Sequence, residues 1–238
     1  MDEFKDKMAI NIYPEEVGSK TVNEVGTMIK HYFETRIEYE DDLIIFLDNC
    51  TSQNKNNYLM RFFSLLTNYC RSIRLLFFLP GHSHMSCDRV FGHISNTLGK
   101  HRVFSEDDVE QKLKELSSID QVIRFQKMNE IREFVQNVAD KDIHHISKKY
   151  DFLLTREAPT KIFCNKSFIF KIHPKPGDYQ SVFNIRAIRK GSFEFNKQGL
   201  RPANNNVIKS SQDLYRKGLV PYEYAEHYYC SFSEWGTK

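Results

Sequence analysis

Long apolar runs are missing from this 238-residue chain. The longest, such as Leu43 to Leu47 and Leu75 to Pro80, fall far short of the ~18 residues that span a bilayer, so no membrane partner is expected. No basic, then apolar, then small-residue leader is visible, so no secretory signal is expected either. Cysteine is sparse: Cys50, Cys70, Cys87, Cys164 and Cys230, an odd number with no Cys-x-x-Cys pair. A disulfide framework is therefore not expected. These absences read together as an intracellular protein, nuclear or cytoplasmic. Charge of one sign is also lacking, since 34 Lys+Arg against 31 Asp+Glu leave only +3, too little for a nucleic-acid coat. There is no internal repeat and no low-complexity tract. Aromatics are what the chain has in quantity: 19 Phe and 12 Tyr exclude a disordered polymer. The length suits one sizeable domain, alone or with a smaller appendage.

The small net charge hides an asymmetry. Residues 1–138 carry a net −4 and residues 139–238 a net +7, which suggests different jobs for the two parts. The first part alternates. Met8 to Tyr13 is a short strand candidate, and Thr21 to Phe33 has apolar residues at helical spacing. Leu43 to Leu47 suits a strand buried on both faces. Gln53 to Cys70 carries a broad apolar helical stripe, and Ile73 to Leu79 reads as a second buried strand. Met85 to Leu98 has Val90, Phe91, Ile94 and Leu98 on one helical face, with Gly99 as a stop. The order β-α-β-α-β-α predicts an α/β layer with a partly parallel sheet. Ser105, followed by Glu106, Asp107 and Asp108, starts another helix, and helical pattern continues to about Val138.

From Asp151 onward the pattern becomes short strands with polar turns. The expected segments are Phe152 to Leu154, Lys161 to Cys164, Phe168 to Ile172, Ser181 to Ile188 and Ser192 to Phe195, with a short helix at Ser210 to Lys217. The predicted division is therefore a core in 1–104, a helical segment in 105–150 and a small basic β-rich unit in 151–238. Within that last unit Phe163, Phe168, Phe170, Phe183, Phe193 and Phe195 are expected in the core rather than as base-stacking platforms.

Two polar clusters could carry chemistry. Asp48-Asn49-Cys50-Thr51-Ser52-Gln53-Asn54-Lys55-Asn56 begins where the Leu43–Leu47 strand ends, and ligand sites in open α/β sheets lie beyond the carboxyl ends of strands. An Asp there can bind a metal or act in catalysis; equally, Asp48 and Ser52 can simply cap the next helix. Gly81-His82-Ser83-His84-Met85-Ser86-Cys87-Asp88 follows the next buried strand. Asp88 is expected at the same sheet end as Asp48, and two carboxylates there suit Mg²⁺ or Mn²⁺. Alternatively Asp88 only complements a helix dipole. His82, His84, Cys87 and His93 match no standard zinc spacing.

Leu-Asp-Asn-Cys-x-x-Gln-Asn-Lys-Asn, followed by Phe-x-x-Pro-Gly-His-x-x-x-x-Cys-Asp-x-x-Phe, resembles an uncharacterised domain family of transposon origin found in invertebrate proteins. The matching residues are Asp48, Asn49, Cys50, Gln53, Asn54, Lys55, Asn56, Gly81, His82, Cys87, Asp88 and Phe91, with Ser83 for the family's Thr. Weaker similarity runs upstream through Glu15 to Met28 and downstream through Asp213-Leu214 and Pro221 to Tyr229.

The resemblance implies an RNase H-like mixed sheet with flanking helices, the fold of DDE transposases and retroviral integrases. It implies metal-dependent phosphodiester transfer or cleavage on DNA. Asp48 and Asp88 would hold Mg²⁺ or Mn²⁺, and His82 would contact the scissile phosphate or orient a water. Lys55, Asn49, Gln53, Asn54 and Asn56 would meet the nucleic acid, with helix capping as the competing role for the amides. The family carries a further Asp on an earlier strand, and no such strand occurs here. The first catalytic Asp and the N-terminal strands are therefore expected to be missing, which leaves the Leu43–Leu47 strand with an open apolar edge. The chain is expected to be a fragment or a shortened relic whose sheet an upstream segment, or a second copy, completes. The alternative is a non-catalytic, transposon-derived module that binds nucleic acid or protein.

Overall fold

A computed structural model of the chain describes residues 8–81, 86–136, 143–184, 195–200 and 205–224. In chain order these form β1 (Ala9–Ile12), α1 (Val22–Arg36), β2 (Asp42–Leu47), α2 (Asn57–Leu66), β3 (Ser72–Phe77), α3 (Ser86–Lys100), α4 (Glu106–Lys114), β4 (Gln121–Arg124), α5 (Ile131–Gln136), β5 (Asp151–Thr155), β6 (Lys161–Asn165), β7 (Ser181–Asn184) and α6 (Asn205–Arg216). They divide into two units. The larger comprises Gly18–Ser83 and Lys127–Gly199; the smaller comprises Met1–Val17, His84–Gln126 and Leu200–Lys238. No helix among the described residues is long and apolar enough to cross a membrane.

The larger unit is a mixed α/β layer. Its five-stranded sheet runs β2-β3-β5-β6-β7, with β2 and β3 parallel and the remaining pairs antiparallel. Alternation sorts the side chains. Ile73, Leu75 and Phe77 of β3, Phe152 and Leu154 of β5, and Ile162 and Cys164 of β6 enter one core. Leu59, Phe62, Phe63 and Leu66 from α2 fill that core from the same side, together with Ile131 and Val135 of α5. A capping box starts α1: the Thr21 amide and hydroxyl both donate to Glu24 Oε2, at 2.5 and 2.6 Å. On α1, Gly26 allows α5 to approach, because a Cβ there would lie 3.0 Å from Ile131 Cγ1.

Two expectations fail here. No separate β unit begins at residue 151, because β5 pairs with β3 and extends the first sheet. The inner edge of β3 needs a hydrogen-bonding partner, and Phe152 and Leu154 complete the apolar layer that Ile73, Leu75 and Phe77 begin. Nor is β2 buried on both faces. Leu43, Ile45 and Leu47 pack against the core, while Ile44 and Phe46 are 40% and 51% exposed on the second face. Among the described residues no strand pairs with the outer edge of β2.

In the smaller unit β1 pairs in parallel with β4, a strand that the helical reading of 105–138 overlooked. Met8 and Ile10 pack there with Leu113 and Val122, which explains why β1 does not join the larger sheet. Ser105 caps α4 as expected, accepting from the Asp108 amide at 3.1 Å. Arg124 is paired with Asp107 and Glu110, at 2.6 and 2.9 Å. Residue Gly99 does not end α3, which continues to Lys100.

Candidate functional site

The loop from Asp48 to Asn56 joins β2 to α2 beyond the carboxyl end of β2. It is built as a turn closed on Cys50, whose carbonyl accepts from the amides of Asn54 and Lys55 at 2.8 and 2.9 Å. Asn56 locks the loop onto the helix. Its Oδ1 accepts from the Leu59 amide at 2.9 Å, and its Nδ2 donates to the carbonyls of Thr51 and Gln53 at 3.3 and 3.2 Å. Asn56 is thus the N-cap of α2, which begins four residues later than the Gln53 start expected from sequence. Both ends of its amide are committed inside the loop, so it is not a phosphate donor. Asp48 stands exposed at the head of the loop, with Oδ1 accepting from the Asn49 amide at 2.7 Å. Asn49 Oδ1 is buried without a hydrogen-bond partner among the described residues. Gln53 and Asn54 are half-buried.

Lys55 departs furthest from expectation. It is 1% exposed, so it cannot meet a DNA backbone. Its Nζ donates to the Ser147 carbonyl at 3.0 Å, and lies 3.8 Å from the Tyr150 ring centre and 5.3 Å from that of Phe77. Burial pushes its ammonium down from 10.5 to about 8. The reason is local: the turn on Cys50 aims residue 55 at the core, where the rings of Tyr150 and Phe77 and the Ser147 carbonyl receive its ammonium without a carboxylate.

Asp88 does not belong to the unit that holds Asp48. Asp88 lies exposed in the first turns of α3, which belongs to the smaller unit. His82 falls outside the described residues. Among the described residues no group of three or more His, Cys, Asp or Glu side chains is placed to hold a metal ion. One exposed carboxylate with an amide on its Oδ1 does not satisfy a hard divalent cation, which needs several oxygen ligands. Asp48 alone, among the described residues of its loop, is too small a ligand set for the Mg²⁺ or Mn²⁺ pair that the resemblance implies.

A buried polar network went unread in the sequence. On the second face of the sheet, Arg74 of β3 meets Asp151 of β5 through Nη2–Oδ2 at 2.7 Å and Nε–Oδ1 at 3.1 Å. Tyr179 donates its hydroxyl to Asp151 Oδ1 at 3.0 Å, and the Ile169 amide donates to Oδ2 at 2.9 Å. Burial, and then the Asp151 charge, push the Tyr179 phenol well above its ordinary range. The available signal was Arg74 itself, a charge inside the apolar run from Ile73 to Leu79, which has to find a partner when buried.

A family described as "Domain of unknown function (DUF7869)" matches residues 8–168, more than half of the chain. No curated protein and no solved structure matches it.

Proposed function

The chain belongs to the DUF7869 family, and on that premise we propose that it is a transposase- or integrase-like domain with an RNase H-like sheet. It binds nucleic acid and does not cleave it unaided. The observation that carries the reading is the β2–α2–β3 unit, two parallel strands joined through a helix, with Asp48 directly beyond the carboxyl end of the first. That is where open α/β sheets bind ligands. The missing clause of the chemistry is equally specific, since Asp48 has no companion carboxylates that would hold metal among the described residues. The net +7 of residues 139–238 supports a polyanion as the ligand.

A second reading is favoured by the open outer edge of β2. A strand added there would lie beside Asp48, and a carboxylate on it would extend the acidic set. The protein would then be the enzyme that the sequence motifs imply, completed by another segment.

Nicking of supercoiled plasmid in Mg²⁺ or Mn²⁺, with DNA binding measured across a salt series, separates these readings. The chain is expected to bind DNA with steep salt dependence and to nick no faster than Asp48→Asn. Metal-dependent nicking that Asp48→Asn abolishes would refute the non-cleaving reading. Absence of DNA binding at low salt would refute the nucleic-acid reading altogether.

A further inference from the structure

The segment from residue 166 to 175 leaves β6 and crosses the second face of the sheet, over β3 and β5. Its backbone is fastened from beneath. Arg74 donates to the carbonyls of Ile169 and Lys171, and Asp151 accepts from the Ile169 amide. The far end is tied by the Lys175 amide, which donates to Asp178 Oδ2 at 2.8 Å. Ile169 turns down to pack with Leu153, Phe163 and Tyr179. Its neighbour Phe170 turns out and is 99% exposed, and Ile172 is 74% exposed. Of the six phenylalanines expected in the core from sequence, Phe193 lies outside the described residues and Phe170 is on the surface: the buried Arg74–Asp151 pair fixes the backbone so that the ring faces water.

An exposed apolar side chain needs no explanation when it stands singly. Here a whole aromatic ring and an Ile lie two positions apart in a segment tethered by a buried ion pair. Neither contributes to the core. Residues 166–175 contain Lys166, Lys171 and Lys175 and no Asp or Glu; of the carboxylates that meet the segment, Asp151 is paired with Arg74 and Asp178 with Lys171. The Lys171 ammonium is paired with Asp178 at 2.5 Å, and Lys175 also acts on that carboxylate; Lys166 and Lys175 are exposed, one before and one after Phe170 in the chain. An exposed ring on a tethered backbone, with exposed lysines before and after it in the chain, is complementary to a strand that alternates flat bases with phosphates. A duplex hides its base faces, so the complementary form is single-stranded.

We propose that this segment is a contact for single-stranded nucleic acid, in which Phe170 stacks on a base and Lys166 and Lys175 meet the phosphates beside it. The proposal rests on the nucleic-acid reading above and adds the strandedness and the residues. Lysine carries the charge, the ring carries the affinity that salt does not remove, and the Arg74–Asp151 pair holds the ring in place.

The test is fluorescence anisotropy of the full chain with labelled oligothymidine and oligouridine, beside a duplex of matched length. Phe170→Ala should bind both single strands roughly 5- to 150-fold more weakly, the range for losing one stacked base. Phe170→Trp should bind as the wild type does. Replacing Lys166 and Lys175 together by Gln should lower the salt slope by about 1.4, at about 0.7 per phosphate of a single strand. Equal binding by wild type and Phe170→Ala would overturn the proposal while leaving the nucleic-acid reading intact. No binding by the wild type would overturn both. Full binding by Phe170→Leu would show a plain apolar contact of the kind a protein surface uses, and would overturn stacking.

Discussion

Replacing Lys55 by Met should remove a pH response that the fold otherwise carries. Folded, Lys55 gives up its proton at about 8, against 10.5 in the unfolded chain. Below pH 8 both states hold the proton, and the cost of burying the charge is constant. Between the two values only the unfolded state holds it, so stability rises with pH. Above 10.5 neither state does and the difference vanishes. With each pKa unit equal to about 1.36 kcal/mol, the rise between pH 7 and pH 9.5 is about 2 kcal/mol. The Tyr150 ring, 3.8 Å from Nζ, favours the charged form and works in the other direction, so about 2 kcal/mol is the upper figure. The assay is urea unfolding of wild type and Lys55→Met at both pH values. Taking the difference between the proteins cancels the other titrating groups. A wild type that gains nothing on the variant, or loses ground, would refute a buried and depressed Lys55. DNA binding measured on the same variant provides a second check, because a lysine that is 1% exposed should not affect it.

Two further substitutions probe the supports on either side of the sheet. Arg74→Met strands the Asp151 carboxylate under the 166–175 segment and should cost about 3–5 kcal/mol in chemical denaturation. It should also speed hydrogen exchange at the Ile169 amide, which Asp151 holds, and a loss below about 1 kcal/mol would contradict a buried pair. Asn56→Ala removes the cap on α2 and should cost about 1 kcal/mol; no measurable change would show that the Leu59 amide finds another partner.

What the sequence made legible was local. β2, β3 and α1 follow from apolar runs and helical spacing, and Ser105 announced α4, because each of these signals is decided within a few residues. Several of the failures are questions of partnership. Nothing in Asp151–Thr155 says that its neighbour is β3, so the antiparallel extension read as a separate unit. Strand β4 is four residues long, too short for a period to stand out. The start of α2 is not legible because Gln53 to Asn56 are polar and carry no apolar period that marks a boundary, while the Cys50 turn and the Asn56 cap place the helix start at Asn57. For the candidate site, the position of Asp48 beyond a strand was readable. The inward turn of Lys55 was not, since a lysine inside a polar run gives no sign that two rings from distant segments await it.

The pairing of Arg74 with Asp151 also orders events in time. The two residues are separated by 77 positions, and the strands that carry them are adjacent in the finished sheet. On a ribosome adding about 5–20 residues per second, Arg74 precedes its counter-charge by roughly 4–15 seconds. During that interval β3 lacks the partner of its inner edge, and the second face has neither its ion pair nor the segment that crosses it. The β3–β5 pairing therefore follows the β2–β3 pairing in the order of synthesis, and the 166–175 segment, made after Asp151, can settle on the Arg74–Asp151 pair only later still.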